Sequence, residues 1–464
     1  MNSLGEHAVV VGGSLAGLMS ARVLADHFEA VTVLERDPIE PGPSLHRSIP
    51  QGNHIHGLLL GGQRVMESLY PNFLTKLDEL GSVRCAWGKE FVFYGPFGRA
   101  YTFTGSVRMP RDFGIDFYQQ SRGLLEHCVR QCTSECTNVK LLNECAVRAL
   151  VCRNSHVEGV RYHRNGESRP LTADLVVDAG GRGSQTPRWL RELGFQSPAE
   201  TSIGVDLAYA STKFRVPADC GRQERLIGFD WSIAPECPNS GLLEIIEGDL
   251  WHVTLAGRFG QYPPRDEAGF LAFAKSLKTP RLYELIKDAE RVADITTYRY
   301  PTAVRRHYER LSGFPDGFVV LGDAIASFNP VWGQGMSVAA LQVQAFQEML
   351  TERGQEEQGL GGLAMTFFPK AAEIADNAWT FAANIDLSYP QTEGDRPPDL
   401  KKQRAYFAAV DALASDDPEI QRLLIEVGNL CKPLSSLNEE LLRSRVLEEQ
   451  RRHPDKYNFR VPSD

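Results

Sequence analysis

Residues 12–17 (GGSLAG) form the first stretch of the chain that is suited to bind a charged ligand. They follow a run of small and β-branched residues (8–11) and open a segment whose apolar residues recur at helical spacing. Small residues at a helix start leave backbone N–H groups and the positive dipole end open to a pyrophosphate. Glu35 follows the next apolar run (31–34), where an acidic side chain reaches the hydroxyl pair of a ribose. The pattern predicts a dinucleotide-binding strand–helix–strand unit, with Ser14 in the place of the usual middle glycine.

A second stretch, residues 317–336, combines an acidic residue with another glycine turn. An apolar strand is predicted to end at Asp323, at the sheet edge where parallel strands bind ligands, so the carboxylate could accept a ligand hydroxyl. Residues 333–335 (GQG) then open a helix at Met336, and the free N–H groups at its start would stabilise negative charge. The simpler interpretation of Asp323 is a turn or helix cap.

Two histidines and three cysteines are the other reactive groups that the spacing brings together. His54 and His56 alternate along a proposed loop, where each could bind a ligand or only hydrogen-bond within the loop. Cys128, Cys132 and Cys136 share one helical face, but no histidine pair or CxxC accompanies them, so they are interpreted as small core side chains rather than metal ligands. The chain has an odd number of cysteines, nine, which indicates reduced thiols, and no metal site is predicted.

The composition indicates a globular protein of two or three domains in 464 residues. A net charge of −9 does not favour nucleic acid or an anionic membrane as a partner. The start of the chain does not resemble a signal peptide, and no apolar run is long enough to span a membrane. We therefore expect a cytoplasmic protein without an integral membrane segment.

The elements that must position these groups are predicted from helical and strand-like patterns of apolar residues. Helices are predicted over residues 57–80 and from about Phe117, followed by a three-strand meander at 139–142, 146–153 and 157–163. A buried strand at 174–179 ends in a further glycine turn at Gly180. Antiparallel strands are predicted at 201–216, 226–233, 242–247 and 251–255, with a helix at 267–277, and the chain beyond Gln347 is predicted to be mostly helical.

Three separated motifs resemble the group A flavoprotein monooxygenases, the FAD-dependent aromatic hydroxylase superfamily. The GGSLAG turn with Glu35, Arg36 and Arg47 is similar to the first FAD motif of that family. Arg122 stands in an R-x-x-L-E pattern, and residues 322–336 resemble the second FAD fingerprint. The variants VVDAGGRGS, PQGNHIHG and GDAIASFNPVWGQGM look closest to the flavin-dependent epoxidases of polyether polyketide biosynthesis.

The resemblance implies an α/β fold in which a Rossmann-like FAD-binding domain carries an inserted antiparallel-sheet substrate domain and a helical C-terminal region. The expected divisions are 1–82, 112–188 and 300–345 for the FAD-binding domain, 83–111 and 189–299 for the substrate domain, and 346–464 for the helical region. It also implies non-covalent FAD. The implied FAD-binding residues are Gly12, Gly13, Ser14, Ala16, Gly17, Glu35, Arg36, Arg47, Arg122, Asp323, Pro330, Gly333, Gly335 and Met336.

The activity implied is oxygen transfer from a C4a-hydroperoxyflavin to a hydrophobic polyketide, terpenoid or aromatic compound, by alkene epoxidation or ring hydroxylation. No protein residue is assigned a catalytic role, because this transfer needs no protein nucleophile. The candidate pocket residues are His54, His56, Tyr209, Phe328 and Trp332.

The source of electrons is the point where the chain departs from the family. Aromatic hydroxylases have an aspartate where this chain has Gly180, and the acid here is Asp178. Reducing equivalents are therefore expected from NAD(P)H directly or, preferentially, through a separate flavin reductase.

Three other functions are compatible with the cofactor motifs. A flavin-dependent halogenase would carry W-x-W-x-I-P, and the nearest match, FDWSIA at 229–234, lacks the first tryptophan and the proline. An isoprenoid double-bond reductase would transfer hydride without O₂. A non-catalytic FAD-stabilised scaffold would give no product.

Overall fold

The computed structural model describes residues 3–44, 49–95, 98–99, 111–218, 225–230 and 234–459. The strands are β1 Gly5–Val11, β2 Phe28–Leu34, β3 Val83–Ala86, β4 Phe91–Gly95, β5 Gly98–Arg99, β6 Asp116–Gln119, β7 Val139–Leu142, β8 Ala146–Arg153, β9 His156–Arg164, β10 Glu167–Thr172, β11 Leu175–Asp178, β12 Glu200–Arg215, β13 Leu226–Phe229, β14 Ser240–Ile246, β15 Leu250–Arg258, β16 Thr296–Arg306, β17 Phe318–Val320 and β18 Ala326–Ser327. The helices are α1 Leu15–Leu24, α2 Leu60–Leu69, α3 Phe73–Glu79, α4 Arg122–Ser134, α5 Thr186–Glu192, α6 Glu267–Ser276, α7 Arg281–Ile286, α8 Gly335–Gln355, α9 Leu363–Asp386, α10 Leu400–Asp416, α11 Pro418–Gly428 and α12 Glu440–Arg452.

A parallel sheet in the order β17-β11-β1-β2-β7 forms the first part of the fold. Its strands consist largely of buried valine, leucine and alanine, and helices α1, α2, α8 and α9 pack with it into a common apolar core. Parallel sheets covered on both faces need such continuous apolar strands. The loops that follow β1, β2, β11 and β17 consequently leave the sheet at the same edge, where this class of fold binds its ligands.

A second sheet, in the order β18-β16-β12-β15-β14-β13-β4-β5, contains antiparallel pairs except between β13 and β4, which are parallel. Of its long central strands, β12 and β15 were expected from their alternating pattern, whereas β16 was not predicted. Helices α6 and α7 pack on it through Phe270 and Leu282, against Phe214 and Trp251. The observed architecture confirms the predicted α/β fold with an antiparallel sheet, whereas the exact division into domains stays a prediction.

The predicted meander is wrong in one strand. Val139–Leu142 pairs in parallel with β2 at the edge of the first sheet, and the meander consists instead of β8, β9 and β10. An alternating pattern does not distinguish a parallel edge strand from an antiparallel one, which explains the error. Glu167–Thr172 was missed because almost all of its residues are exposed, so it carries no apolar signal.

Two predicted helices also begin or end elsewhere. Residues 116–119 form β6, which pairs with β3, and helix α4 begins only at Arg122 because the Ser121 hydroxyl accepts the N–H of Leu124 (3.3 Å). The predicted helix over 57–80 is divided into α2 and α3 around Pro71, since proline cannot continue a helix.

The end of the chain is helical, as predicted. Helices α10, α11 and α12 form a separate apolar cluster that includes Ala409, Ile420, Val427 and Val446. None of the helices in the described ranges combines the length and the apolar character that crossing a bilayer requires.

Candidate active site

A cavity of about 1100 Å³ begins at the carboxyl edge of the parallel sheet. Its walls come from the loops after β1, β2, β11 and β17, from strands β12, β15 and β16 of the second sheet, and from helices α9, α10 and α11. The cavity therefore connects the proposed dinucleotide-binding turn with an apolar space under the C-terminal helices.

The glycine turn after β1 forms one end of the cavity. Gly12 has a φ of +103°, and a Cβ there would lie 2.6 Å from the Ala179 carbonyl oxygen. A Cβ on Gly17 would overlap the Gly12 carbonyl, so helix α1 packs directly on the turn. Ser14 begins the helix without capping it, and the first turn of α1 contains no acidic residue. This end of α1 is therefore suited to bind a phosphate group.

Glu35 supports the turn from the end of β2. It is 5% exposed, and its two carboxylate oxygens accept the N–H groups of Gly13 (2.7 Å) and Asp37 (2.8 Å). A carboxylate oxygen has more than one acceptor position, so Glu35 can also accept a ribose hydroxyl from the cavity that it lines. Arg36 is exposed at the rim, and the predicted ligand Arg47 lies outside the described residues.

Arg122 lies beside the turn in a buried ion pair with Glu126. Its Nη2 donates to Glu126 Oε1 (2.7 Å) and to the Ser14 hydroxyl (3.0 Å), and Ser14 donates to the same carboxylate (2.5 Å). Burying two charges is costly unless both are paired and hydrogen-bonded, as they are here. The sequence pattern predicted Arg122 as a cofactor contact, but it did not predict that Glu126 and Ser14 orient its guanidinium.

Asp323 and Asp178 follow neighbouring strands but have different environments. The Asp178 carboxylate accepts the Gly180 N–H (2.8 Å) and the hydroxyls of Ser184 and Thr186 (both 2.5 Å), which stabilises the second glycine turn. Asp323 has no hydrogen-bond partner among the described residues, so its carboxylate does not cap a turn. Burial raises its pKa to about 6, although nearby arginines, with Arg122 foremost, oppose this shift. Asp323 is thus an open acceptor on the cavity wall.

The loop that connects β18 to α8 contains Pro330 and Gly333, and α8 begins at Gly335; all three residues line the cavity together with Met336. Gly333 has a φ of +64°, which allows the chain to turn into α8. Asn329, fully buried, caps the short helix at 330–332 by accepting the Val331 N–H (3.1 Å).

A buried polar group anchors this loop to helix α9. Asn329 donates to both carboxylate oxygens of Asp386 (2.8 and 2.9 Å), and Arg258 from β15 donates to the same carboxylate (2.9 Å). All three side chains are at most 3% exposed. Because these residues are far apart in sequence and each is a common surface type, no local pattern could have indicated the group.

The histidine loop forms the opposite side of the cavity. His54 is 4% exposed, and its Nδ1 lies 2.6 Å from the Ser211 hydroxyl on β12. Its ring lies 5.5 Å from the ring of Tyr209 and 5.9 Å from that of Tyr298. Burial, with a smaller effect of His252, lowers the pKa of His54 to about 3, so the ring is neutral.

His56 faces the same cavity but binds differently. Its Nδ1 lies 2.8 Å from the His54 carbonyl oxygen. A carbonyl only accepts, so Nδ1 carries the proton and Nε2 of the neutral ring is an acceptor. Burial, together with the charge of Arg122, lowers the pKa of His56 to about 3.

The predicted pocket residues Tyr209, Phe328 and Trp332 are all buried and all line the cavity. Trp332 packs edge-on against Phe381, with ring centres 5.5 Å apart, and Phe328 packs against Trp379 at 6.4 Å. Sequence reasoning missed the contribution of helices α9 to α11. Further wall residues from these helices are Asn384, Ile385, Arg404, Phe407, Leu424 and Ile425. They follow ordinary helical periodicity, which is equally typical of a core.

The cysteine face of α4 is part of the protein core. Cys128 and Cys132 are buried against the parallel sheet and its helices. Within the ranges described, no group of three or more histidine, cysteine or acidic side chains is arranged to hold a metal ion.

Comparison with known sequences gives two informative relatives, while no family model matches the chain. Protein Rv3254 of Mycobacterium tuberculosis is 31% identical over 399 residues, which cover 83% of this chain and 81% of that protein. A kynurenine 3-monooxygenase of Salinispora tropica is 24% identical over 417 residues, which cover 81% of this chain and 79% of that protein.

Comparison with solved structures identifies the fold. A flavoprotein/dehydrogenase from Cytophaga hutchinsonii matches with a TM-score of 0.68 and 16% identity, over 96% of this chain and 99% of that one. The flavin-dependent brominase Bmp2 matches with a TM-score of 0.66 and 15% identity, over 97% of this chain and 100% of that one. At these identities the comparisons show a shared fold, which is that of FAD-dependent monooxygenases and halogenases.

Proposed function

The chain belongs to the family of protein Rv3254. We propose that it is an FAD-dependent monooxygenase that transfers one oxygen atom of O₂ to a hydrophobic small molecule. The observation that carries the proposal is the continuity of the cavity. It extends from the glycine turn at Gly12 to a wall formed by the aromatic residues Tyr209, Phe328 and Trp332. A cofactor at one end and a substrate at the other would thus meet in a shared, enclosed space.

The residues at the first end fit FAD. Gly12 and Gly17 keep the turn free of side chains, so a pyrophosphate can approach the N–H groups of α1. Glu35 would hold the ribose, and the Asp323 carboxylate, which has no hydrogen-bond partner in the described part of the chain, would accept a hydroxyl of the ribityl chain. FAD is proposed to be held by these contacts without a covalent bond.

The helix α8 would act on the negative charge of the reduced cofactor. Its first residues, after the turn at Gly333, line the cavity, and no side chain of the described residues caps this end, so the positive end of the helix dipole faces the cavity. FAD, when bound and reduced, supplies the electrons that activate O₂. The contribution of the chain is to orient the two ligands and to exclude water with the rings of Phe328 and Trp332.

Epoxidation of an alkene or hydroxylation of a ring is the proposed reaction type. One oxygen atom of O₂ enters the substrate and the other is reduced to water by two electrons and two protons. This reaction needs no nucleophile from the protein. The apolar residues of the cavity wall suit a polyketide, terpenoid or aromatic skeleton.

The electrons are proposed to come from a separate flavin reductase rather than directly from NAD(P)H. Gly180 replaces the acidic residue of the aromatic hydroxylases. Asp178 lies two residues earlier, and its carboxylate stabilises the second glycine turn by accepting hydrogen bonds from Gly180, Ser184 and Thr186.

Product analysis with chemically reduced FAD tests the reaction class. The protein is incubated with apolar alkenes and aromatics, with halide present, in air and under nitrogen, and products are identified by mass. A gain of one oxygen atom, only in air, supports the monooxygenase. Replacement of hydrogen by halogen would show a halogenase, which shares this fold, and a gain of two hydrogens under nitrogen would show a double-bond reductase. No product with any substrate would favour a non-catalytic scaffold.

A cofactor measurement tests the assignment independently of the substrate. Denaturation of the yellow protein should release intact FAD, and release of FMN alone would contradict the proposed binding site. Gly12→Val should abolish FAD retention because a β-branched side chain cannot adopt the positive φ and would collide with Ala179. Gly313→Ala is the matched control, since Gly313 is exposed and a Cβ there meets nothing within 4 Å.

A further inference from the structure

A hydrogen-bond chain of hydroxyls determines which nitrogen of His54 carries its proton. The Ile55 N–H donates to the Thr254 hydroxyl (3.1 Å), which lies 2.7 Å from the Ser211 hydroxyl. Ser211 in turn lies 2.6 Å from His54 Nδ1. Each hydroxyl has a single hydrogen to donate.

Only one direction of this chain gives every hydroxyl hydrogen an acceptor among the described residues. Thr254 donates to Ser211, and Ser211 donates to His54 Nδ1. In the reverse direction both the Thr254 hydrogen and the His54 Nε2 lone pair would have no partner among the described residues, whereas in the first direction the Nε2 hydrogen is the one group without a described partner. His54 Nδ1 is therefore the acceptor of its ring, and the neutral ring carries its hydrogen on Nε2.

That Nε2 has no hydrogen-bond partner among the described residues, although His54 is 4% exposed and lines the cavity. A buried donor without an acceptor is costly, so the site is incomplete without a ligand. The hydroxyl of the adjacent Tyr209 is also buried and has no partner within the described ranges. Two neutral donors thus lie side by side on the cavity wall.

We propose that His54 is a specificity-determining residue, whose Nε2–H donates a hydrogen bond to a carbonyl oxygen of the substrate. The inference rests on the proposed function and specifies its substrate class: an apolar molecule that carries a ketone, enone or related carbonyl group. The acceptor belongs to the substrate rather than to FAD because of its position. His54 follows β2 in sequence, but its side chain packs on the second sheet, where its ring lies near Tyr209 and Tyr298 and its Nδ1 lies 2.6 Å from the Ser211 hydroxyl. The proposed FAD residues Gly12, Glu35 and Asp323 lie at the edge of the parallel sheet.

His56 supplies a matched contrast on the same loop. Its Nδ1–H is donated to the His54 carbonyl, so its Nε2 can only accept. Replacement of His56 by phenylalanine therefore exchanges a similar imidazole ring on the cavity wall without removing the proposed donor.

Binding of two isosteric probes to the FAD-loaded protein tests the inference. The probes are methyl naphthyl ketone and isopropenylnaphthalene, which differ by a carbonyl oxygen in place of a methylene group. Their dissociation constants are measured by calorimetry for the wild type, His54→Phe, His54→Gln and His56→Phe. Comparing the ratio of the two constants between variants cancels the difference in probe hydrophobicity.

In His54→Phe we expect the dissociation constant of the ketone, relative to that of the alkene, to rise about tenfold, because a hydrogen bond to a buried donor is lost. His54→Gln, whose amide also donates, should keep most of the ketone preference, and His56→Phe should keep all of it. A ratio that is the same in the wild type and in His54→Phe would overturn the inference, and so would loss of the preference in His56→Phe alone. Thermal melting of each variant confirms that it is folded.

The same samples separate the two proposals. Each is denatured after the titration and its FAD content is measured. Protein that retains no FAD but shows the His54-dependent ratio would contradict the proposed function and support the ligand inference. Protein that is loaded with FAD and shows no such ratio would overturn the ligand inference alone.

Discussion

The close packing of helix α1 on the turn before it predicts a large effect from the smallest possible substitution, Gly17→Ala. The added Cβ would overlap the Gly12 oxygen and lie 2.9 Å from the Gly12 carbonyl carbon. Carbon atoms in contact are normally about 3.5–4.0 Å apart. The start of α1 must therefore move away from the turn by a distance on the order of 1 Å, which displaces the N–H groups proposed to bind the pyrophosphate.

Two effects of opposite sign determine the change in stability. Alanine is favoured over glycine inside a helix by about 1 kcal/mol. Overpacking against a rigid backbone costs about 1–3 kcal/mol, so we expect the net free energy of unfolding to fall by roughly 1 kcal/mol. The effect on FAD should be larger, because displacement weakens charge-assisted hydrogen bonds worth about 1.5–3 kcal/mol each. The dissociation constant of FAD should consequently rise at least about tenfold.

Fluorescence titration of apoprotein with FAD measures this constant, and thermal melting of the same samples measures stability. Gly313→Ala is the control for a general effect of the added methyl group, because Gly313 is exposed and unobstructed. Wild-type FAD affinity in Gly17→Ala, with normal melting, would show that the start of α1 does not bind the cofactor.

Three further predictions follow from other parts of the site. The Asp323 pKa of about 6 means that its carboxylate is protonated below that pH and ionised above it. Because the ionised form is the stronger acceptor, the FAD dissociation constant should rise as the pH falls from about 7 to about 5. Asp323→Asn should remove this dependence in the same titration. Anaerobic stopped-flow measurement should show slow bleaching of the oxidised flavin band with NAD(P)H alone and fast bleaching with a flavin reductase, whereas fast reduction without a partner would show that Gly180 is a harmless variant. Asp386→Ala should lower the free energy of unfolding by about 3–5 kcal/mol, because it leaves Arg258 buried without its carboxylate. Urea denaturation tests this with Asp395→Ala as an exposed control, and equal losses in the two variants would contradict it.

The elements of the parallel sheet were predictable from sequence because each combines a local pattern with a local cause. A buried strand such as β1 is a short apolar run, and the turn at Gly12 needs a positive φ that glycine adopts readily. The acids at the ends of β2 and β17 could be identified for the same reason, since they follow the strand in sequence. Strand pairing is different: the short run Val139–Leu142 is compatible with the parallel sheet or with the meander, and the choice depends on β2.

The amino-acid sequence by itself determined the fold class and the position of the turns proposed to bind FAD, because these depend on residues that are neighbours in the chain. Only the tertiary structure decided how Arg122 and Asp323 differ in their partners, and which nitrogen of His54 faces the cavity. It also decided that helices α9 to α11 enclose the substrate end. Arg122 contacts Ser14, and His54 contacts Ser211, across more than a hundred positions, while the Arg122–Glu126 pair is local. The environment of Asp323 and the wall formed by α9 to α11 depend on burial and packing, which local spacing does not encode.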